Sequence, residues 1–174
     1  MAVIGFVGLG EMGGRIVRGL LAAGNVVYGT NRTKSRADPL VERGLIWRDS
    51  PRAVAAEADV VFSMVTDNAA LEAITTGPNG ILAGLRPGSV YVDMSRVSPA
   101  LSLELACRVK DLDALMLEAP VSGTVKTADT GSLTIRVGGD VGAFARVGPL
   151  LRQFGETVRY VGENGEALWT SPST

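Results

Sequence analysis

The sequence of 174 residues has no histidine, one cysteine and few aromatic residues, which make up 5% of the chain. Without histidine, acid–base chemistry has to come from Asp, Glu, Lys, Tyr, Cys or a partner, and we expect no metal site. The single cysteine, Cys107, excludes an intrachain disulfide, as is typical of a reducing cytoplasm. It lies in the apolar-periodic segment LSLELACRV, which predicts inert packing in the core.

Strong net charge and long apolar runs are also missing. The chain has 17 basic and 18 acidic residues and a net charge of −1, which disfavours a nucleic-acid surface. It does not begin with a basic stretch followed by an apolar one, and no apolar run reaches membrane-spanning length. We therefore expect a cytoplasmic protein without a membrane partner. Lysine is scarce and occurs as Lys34, Lys110 and Lys126.

Glycine, by contrast, is abundant with 22 residues, and apolar residues make up 46% of the chain, enough for a full core. Extra glycine in a globular chain marks tight turns or places where the backbone approaches a ligand. Apolar runs alternate with helical patterns along the chain. The runs that predict strands are 2–7, 26–30, 45–47, 59–65, 89–94, 114–120, 132–139 and 157–161.

Capping residues separate these strands from the helices between them. Serine followed by proline at 50–51 and 98–99 predicts a capped helix start, and Asp140 predicts a third cap. Helix ends are predicted at the glycines Gly24, Gly44 and Gly155.

Strands that alternate with helices indicate βαβ units and a mostly parallel sheet covered on both faces. We therefore predict an α/β fold with one doubly wound domain. The alternating segment 132–139 predicts a half-buried edge strand. In such a sheet ligands bind outside the carboxyl ends of the strands. All the informative loops of this sequence follow strands at that edge.

The loop after the first strand carries Gly8-x-Gly10-x-x-Gly13 between an apolar strand and a helix. This context is typical of dinucleotide binding, because the first glycine allows a tight turn and the second lets the pyrophosphate approach. The third glycine lets the helix pack closely, and the helix N-terminus faces the phosphates. A merely glycine-rich turn is the alternative. The predicted cofactor-binding residues here are Gly8, Leu9, Gly10, Glu11, Met12 and Gly13.

The second strand ends in residues 30–34 (TNRTK), where NAD-binding proteins usually carry an acidic residue for the ribose 2′-hydroxyl. No carboxylate is present. Arg32 can pair with a 2′-phosphate and stack on adenine, and Asn31 and Thr33 can add hydrogen bonds. The loop therefore predicts NADP rather than NAD, with a solvated basic loop as the alternative.

The fourth strand ends in FSMVTD. We place Met64, Val65 and Thr66 beneath the ribose and nicotinamide of the cofactor. Simple termination of a strand is the alternative for each of them.

With these segments placed, the chain resembles the NAD(P)-binding domain of the β-hydroxyacid dehydrogenase family, a relative of 6-phosphogluconate dehydrogenase. The family includes 3-hydroxyisobutyrate dehydrogenase and glyoxylate/succinic semialdehyde reductase. GFVGLGEMG is similar to its cofactor fingerprint, YVDMSRVSP to its Asp-x-Ser-Thr-x-x-Pro segment, and EAPVSGTVKTADTGSLTIRVGGD to its substrate signature. The resemblance covers about 2–165 and implies a Rossmann domain.

The resemblance implies that Ser122 and Gly123 bind a substrate carboxylate and that Ser95 lies beside both nicotinamide and substrate. Two adjacent donors in a small-residue loop suit an anion. Two residues depart from the family pattern: Arg96 replaces a small hydroxyl residue, and Thr124 replaces a second glycine. Arg96 either rejects the usual substrates, selects a more acidic one or points away, and we count both residues among the substrate-binding candidates.

The family transfers a hydride at the nicotinamide C4, and a lysine on the helix after the Rossmann domain moves the hydroxyl proton. The place of that lysine falls near Ser171, so no catalytic residue is predicted, although Lys126 is a weak substitute candidate. The expected domains are an NADP-binding Rossmann domain at 1–161 and a truncated start of the interdomain helix at 162–174. The family's C-terminal helical domain is expected to be lacking.

Three functions remain open at this point. The first is an NADP-dependent oxidoreductase of small hydroxy or oxo acids, impaired by the missing lysine. The second is a non-catalytic dinucleotide-binding module or partner subunit, and the third is an imine reductase-like enzyme. We expect either a separate helical-domain partner or a homodimer with Leu168 and Trp169 at the contact.

Overall fold

The computed structural model describes residues 2–169. Its strands are β1 (Val3–Val7), β2 (Val26–Thr30), β3 (Ile46–Trp47), β4 (Val60–Ser63), β5 (Val90–Asp93), β6 (Leu115–Glu118), β7 (Val121–Ser122), β8 (Leu133–Gly139) and β9 (Gly155–Gly162). Its helices are α1 (Glu11–Ala22), α2 (Asp38–Val41), α3 (Pro51–Glu57), α4 (Asn68–Thr75), α5 (Ile81–Gly84), α6 (Pro99–Lys110), α7 (Val125–Asp129), α8 (Val141–Leu151) and α9 (Glu166–Trp169), and a 3₁₀ turn over Lys34–Ala37 precedes α2.

The strands form one mixed sheet. In the order β3-β2-β1-β4-β5-β6 every neighbouring pair is parallel. Strand β8 then runs antiparallel to β6 and β7, and β9 runs parallel to β8. The order 3-2-1-4-5-6 is that of the doubly wound dinucleotide-binding folds, so the predicted fold class is confirmed.

The sheet has a hydrophobic core on each face because successive strand residues point to opposite sides. On one face Phe6 and Phe62 stack with ring centroids 5.9 Å apart. On the other face Val61 and Tyr91 pack under α3 and α6. All four side chains are fully buried, as expected for strands that are covered on both sides.

The helix boundaries follow local capping. Ser50, Ser98 and Asp140 each accept a hydrogen bond from the backbone N–H three residues on, which confirms the three predicted helix starts. Gly24 and Gly44 have φ of 91° and 114°. Both follow the end of a helix in the left-handed conformation that glycine adopts without strain.

Three predictions about the second half are wrong. Strand β8 is not an edge strand, because β6 and β7 flank one side of it and β9 the other. Gly155 does not end α8, which stops at Leu151; it is the first residue of β9. Cys107 is exposed. The inward face of α6 is already filled by Leu101, Leu105 and Val109, which are spaced four residues apart.

No helix within residues 2–169 is long and apolar enough to cross a membrane. The same part of the chain contains no cluster of acidic or cysteine residues that could hold a metal ion.

Candidate cofactor and substrate site

The three glycines of the first loop have three different surroundings. Gly8 has a φ of 104°, and a Cβ there would lie 2.2 Å from the carbonyl oxygen of Met64. A Cβ on Gly13 would lie 2.2 Å from the carbonyl oxygen of Gly8. Around Gly10, in contrast, nothing lies within 4 Å of such an atom. The loop is therefore tightly packed at both ends and open at its centre, as a phosphate-binding loop requires.

Helix α1 begins directly behind this opening and has 12 residues. Its N-cap, Gly10, provides no side-chain hydrogen bond to the first turn, whereas Asp67 and Asp140 cap α4 and α8 with their carboxylates. The backbone N–H groups of the first turn of an α-helix have no partner within the helix. Those of α1 are thus available to an anion, together with the positive end of the helix dipole.

The loop after β2 is joined to the phosphate loop by Asn31. Its Oδ1 accepts from the N–H of Leu9 at 2.8 Å, and its Nδ2 donates to the carbonyl of Thr33 at 3.0 Å. The Asn31 side chain therefore fixes the relation between the two loops. Arg32 is exposed at the same corner. Among the described residues, no hydrogen bond or ion pair is found for its guanidinium group.

The loop after β4 lies against both the phosphate loop and the loop after β5. The N–H of Met64 donates to the carbonyl of Val7 at 3.0 Å, and the N–H of Val65 donates to Ser95 Oγ at 2.9 Å. Thr66 is exposed at the start of the turn that leads to α4. The predicted residues of this segment therefore do come together with Ser95.

Ser95 belongs to a buried polar cluster under the site. Its hydroxyl donates to Asp93 Oδ1 at 2.7 Å, and its backbone N–H reaches the same oxygen at 3.2 Å. Ser63 Oγ donates to this oxygen as well, at 2.8 Å, and lies 2.6 Å from the hydroxyl of Tyr91. Ser95 is only 2% exposed. Its hydroxyl hydrogen is committed to Asp93, so Ser95 holds the two loops together.

The carboxyl group of Asp93 is only 1% exposed. Burial raises the pKa of Asp93 from 3.8 to about 6, although the hydrogen bonds from Ser95 and Ser63 oppose that rise. Burial also raises the pKa of Tyr91, and the nearby Asp93 charge adds to the effect. Within residues 2–169, Asp93 Oδ2 has no hydrogen-bond partner. A buried carboxylate with one unpartnered oxygen is costly, which agrees with the raised pKa.

Arg96 points toward the loop after β6. Its Nη2 donates to Ser122 Oγ at 2.8 Å and to the carbonyl of Val121 at 3.1 Å. The sequence left open that Arg96 rejects the usual substrates, selects a more acidic one or points away, and the last of these is therefore wrong. The guanidinium group lies directly beside the predicted carboxylate-binding residue.

The loop itself explains why Thr124 can replace a glycine. Its φ is −116°, which any residue adopts, and its side chain forms a capping box with Thr127 at the start of α7. Gly123 differs, since its φ is 147° and a Cβ there would lie 2.4 Å from Thr127 Oγ1. Helix α7 was not predicted from the sequence. It turns the chain back toward α1, where Arg15 lies 3.0 Å from Asp129.

Glu118 at the end of β6 was missed by the sequence analysis. Its carboxylate is 1% exposed and accepts from Ser102 Oγ and from the backbone N–H groups of Gly165, Ala167 and Leu168. Glu118 therefore caps the first turn of α9. An acidic residue inside the otherwise apolar run ALMLEAP was the signal that could have revealed it, and Asp93 in SVYVDM gives the same signal.

The three lysines lie apart from each other. Lys34 stacks 5.5 Å over the ring of Trp47, Lys110 is in the last turn of α6, and Lys126 is exposed on α7. Ser171, the expected place of the family lysine, is outside the described residues, as is the side chain of Trp169.

A glycine loop that opens onto an uncapped helix, at the carboxyl edge of a 3-2-1-4-5-6 sheet, defines a dinucleotide-binding domain of the Rossmann type. The family model described as the NAD binding domain of 6-phosphogluconate dehydrogenase matches residues 3–162. The chain belongs to this family, and the family assigned from the sequence is confirmed.

Two curated relatives illustrate the range of the family. Glyoxylate/succinic semialdehyde reductase 2, chloroplastic, from Arabidopsis thaliana is 40% identical over 95% of this chain and 47% of its own length. The cytokine-like nuclear factor N-PAC from Xenopus tropicalis is 38% identical over 94% of this chain and 31% of its own length. The chain thus spans half or less of these relatives.

Solved structures are also similar to this chain over nearly its whole length. Psf3 in complex with NADP+ and 2-OPP has a TM-score of 0.92 at 36% identity, over 95% of this chain and 59% of that one. 3-Hydroxyisobutyrate dehydrogenase of Mycobacterium tuberculosis with L-serine has a TM-score of 0.90 at 31% identity, over 97% and 57%. An imine reductase from Myxococcus stipitatus has a TM-score of 0.90 at 20% identity, a likeness of fold alone. Residues 2–169 contain the Rossmann domain and no second domain.

Proposed function

We propose that this chain is the cofactor-binding part of an NADP-dependent oxidoreductase that transfers a hydride between nicotinamide and a small hydroxy or oxo acid. The observation that carries the proposal is the open space at Gly10 in front of the uncapped start of α1. Relatives that are named as a semialdehyde reductase and a hydroxyacid dehydrogenase support the reaction class.

The preference for NADP over NAD is part of this proposal. Arg32 is exposed beside Asn31, whose side chain is bonded to the phosphate loop. A guanidinium group at this corner can pair with a 2′-phosphate, whereas an acidic residue for the 2′-hydroxyl is missing from residues 30–34. The complex of Psf3 with NADP+ is in agreement.

The proposed substrate site is the loop of Ser122 and Gly123, together with Arg96. Ser122 is a hydroxyl donor at a strand end, and Gly123 has a backbone conformation that favours glycine. Such a loop suits a carboxylate. Met64, Val65 and Thr66 are proposed to lie under the cofactor, with Ser95 beneath them as the residue that joins the loops.

Catalysis is proposed to be impaired. None of the three lysines takes the place of the family's proton-transferring lysine, which falls near Ser171. Loss of a general acid or base costs about 10²–10⁴-fold in rate. We place the Rossmann domain at residues 1–161 and assign the segment from residue 162 onward to the region between the domains of the family, in a cytoplasmic protein.

Two measurements test the proposal. Fluorescence titration with NADPH and NADH comes first, and equal or tighter binding of NADH is incompatible with the NADP assignment. Oxidation of NADPH with glyoxylate, succinic semialdehyde and a cyclic imine follows. Turnover of either acid supports the oxidoreductase, and turnover of the imine alone supports an imine reductase-like enzyme instead.

The second candidate is a non-catalytic dinucleotide-binding module or partner subunit, which the missing lysine favours. Tight NADPH binding without turnover of any of the three compounds supports it. In either case we propose association of two copies around Leu168 and Trp169, or with a separate helical domain. A monomer in scattering at tens of micromolar excludes the homodimer.

A further inference from the structure

The guanidinium group of Arg96 has spare hydrogen-bonding capacity. Guanidinium carries five N–H groups, and the two on Nη2 are used by Ser122 Oγ and the carbonyl of Val121. The Nε and Nη1 groups have no hydrogen-bond partner among residues 2–169. Arg96 is exposed at the surface of the site, so these N–H groups are accessible to a ligand.

The contact with Arg96 also sets the role of Ser122. A hydroxyl has one hydrogen to donate and two lone pairs that accept. Because Arg96 donates to Ser122 Oγ at 2.8 Å, the hydroxyl hydrogen of Ser122 turns away from the guanidinium group. No acceptor for it is found in the described part of the chain. Ser122 is thus oriented as a donor, which suits one carboxylate.

The charges around the loop favour a second carboxylate. The loop after β5 contains one cation, Arg96. The segment from Ser122 to the end of α7 also contains one, Lys126. These two segments have one acidic residue on the surface, Asp129. It is paired with Arg15 at 3.0 Å, so it does not neutralise either cation.

Two further carboxylates lie nearby but are buried. Asp93 and Glu118 are each 1% exposed, and their hydrogen bonds go to protein groups beneath the site. Neither can accept from the free N–H groups of Arg96 at the surface. Among the described residues Arg96 therefore has no carboxylate partner, and its Nε and Nη1 groups remain free for a second carboxylate of the ligand.

We propose that Arg96 is a specificity-determining residue that selects short acids with two carboxylates. One carboxylate binds Ser122 and Gly123, and the other binds the free N–H groups of Arg96. The inference rests on the proposed function for the identity of the site, and it extends that function from small acids to oxo or hydroxy dicarboxylates.

The test uses a matched pair of probes on the full chain. Succinate and its monoamide, succinamate, have nearly the same size and shape and differ by one negative charge. Each is titrated by calorimetry, with and without saturating NADP+. We expect succinate to bind at least about tenfold more tightly than succinamate, since a charge-assisted hydrogen bond is lost with the amide.

Variants assign the difference to one side chain. Arg96→Thr restores the small hydroxyl residue of the family pattern and is expected to bring the succinate-to-succinamate ratio close to one. Arg43→Thr is the control with the same change in net charge. Arg43 is exposed in the turn before β3, at the opposite edge of the sheet, and should leave the ratio unchanged. If Arg96→Thr does not fold, Arg96→Gln takes its place.

Equal affinities for the two probes in the unmodified chain overturn the inference, and so does absence of binding of both at millimolar concentration. A ratio that survives in the Arg96 variants overturns it as well. The titrations without NADP+ keep this result separate from the proposed function. If the chain fails to bind NADP+, the proposed function is wrong, while the ratio of the two acids still decides the role of Arg96.

Discussion

The two halves of the site are built by different means. Around the phosphate loop the site is formed by backbone atoms: Gly8 and Gly13 pack against carbonyl oxygens, and Gly10 faces open space. Around the loops after β5 and β6 it is formed by side chains. Two buried carboxylates, Asp93 and Glu118, accept most of the hydrogen bonds there.

The difference reflects what each half has to hold. A phosphate group is bound by backbone N–H groups, which are the same in any sequence, so the loop needs only the absence of side chains. The other half joins elements that are distant in the chain. The N–H and hydroxyl donors that meet there need a common acceptor, and a buried carboxylate provides it. Four predictions test this contrast, beginning with the largest expected effect.

Replacement of Glu118 by alanine should destabilise the fold most. It removes the carboxylate that accepts from Ser102 Oγ and from the N–H groups of Gly165, Ala167 and Leu168. Buried unsatisfied donors cost about 1–3 kcal/mol each, and we expect a total loss of about 3–5 kcal/mol in urea unfolding. The exposed Glu163→Ala is the matched control and should change little. Equal losses in the free energy of unfolding for the two variants would contradict the structural role of Glu118.

Replacement of glycines separates packing from ligand approach within the phosphate loop. Gly13→Ala places a methyl group 2.2 Å from a carbonyl oxygen, so we expect a loss of stability of about 3 kcal/mol. Gly10→Ala meets no atom within 4 Å and should lose no more than about 1 kcal/mol, the cost of alanine at an N-cap. Its methyl group instead occupies the phosphate space, and NADPH affinity should fall at least about tenfold. Unfolding curves and fluorescence titrations of both variants check this; unchanged NADPH binding by Gly10→Ala contradicts it.

The raised pKa of Asp93 predicts how stability depends on pH. The carboxyl group of Asp93 has a pKa of about 6 in the folded chain, compared with its ordinary pKa of 3.8 in the unfolded chain, so the folded state holds the proton over this interval. Stability therefore falls as pH rises from about 4 to 7, by about 2 kcal/mol from this group. Urea unfolding across this range measures the slope. Asparagine cannot titrate, so the stability of the Asp93→Asn variant should fall by about 2 kcal/mol less over this pH range than that of the unmodified chain. Equal pH dependence of the two chains rules out Asp93 as the cause.

The smallest effect concerns Arg32, an exposed side chain that we assign to the ribose 2′-phosphate. Arg32→Gln should weaken NADPH binding about tenfold through loss of a charge-assisted pair and leave NADH binding unchanged. Arg43→Gln is the control, because it removes the same charge before the amino end of β3, whereas Arg32 follows the carboxyl end of the parallel strand β2. Parallel loss of NADPH and NADH affinity in Arg32→Gln contradicts a contact with the 2′-phosphate.

The contrast between the halves also decides what could be predicted from the sequence. The glycine loop between β1 and α1 and the helix caps at Ser50, Ser98 and Asp140 depend on residues within a few positions of each other, and their places in the fold were predicted correctly. The contacts of Arg96 with Ser122 and of Glu118 with Ala167 join residues 26 and 49 positions apart. No local pattern encodes such partners, although a lone carboxylate in an apolar strand indicates that a partner exists.

Two errors have the same origin. Strand β8 was predicted at the edge because its alternation looks half-buried, but its place in the sheet is set by pairing with the later strand β9. Cys107 fits an apolar pattern on α6, yet the buried face was already occupied by Leu101, Leu105 and Val109. Periodicity shows that a helix has an inner face and does not fix its rotation by itself.

The carboxylate of Glu118 has one more consequence, for protein engineering. It holds the N–H groups of Ala167 and Leu168, so the direction in which the chain leaves the sheet at α9 is set by β6. A helical segment grafted after Leu168 inherits this direction without any redesign of the junction. A helical partner joined at this position is expected to follow the same direction as long as Glu118 is retained.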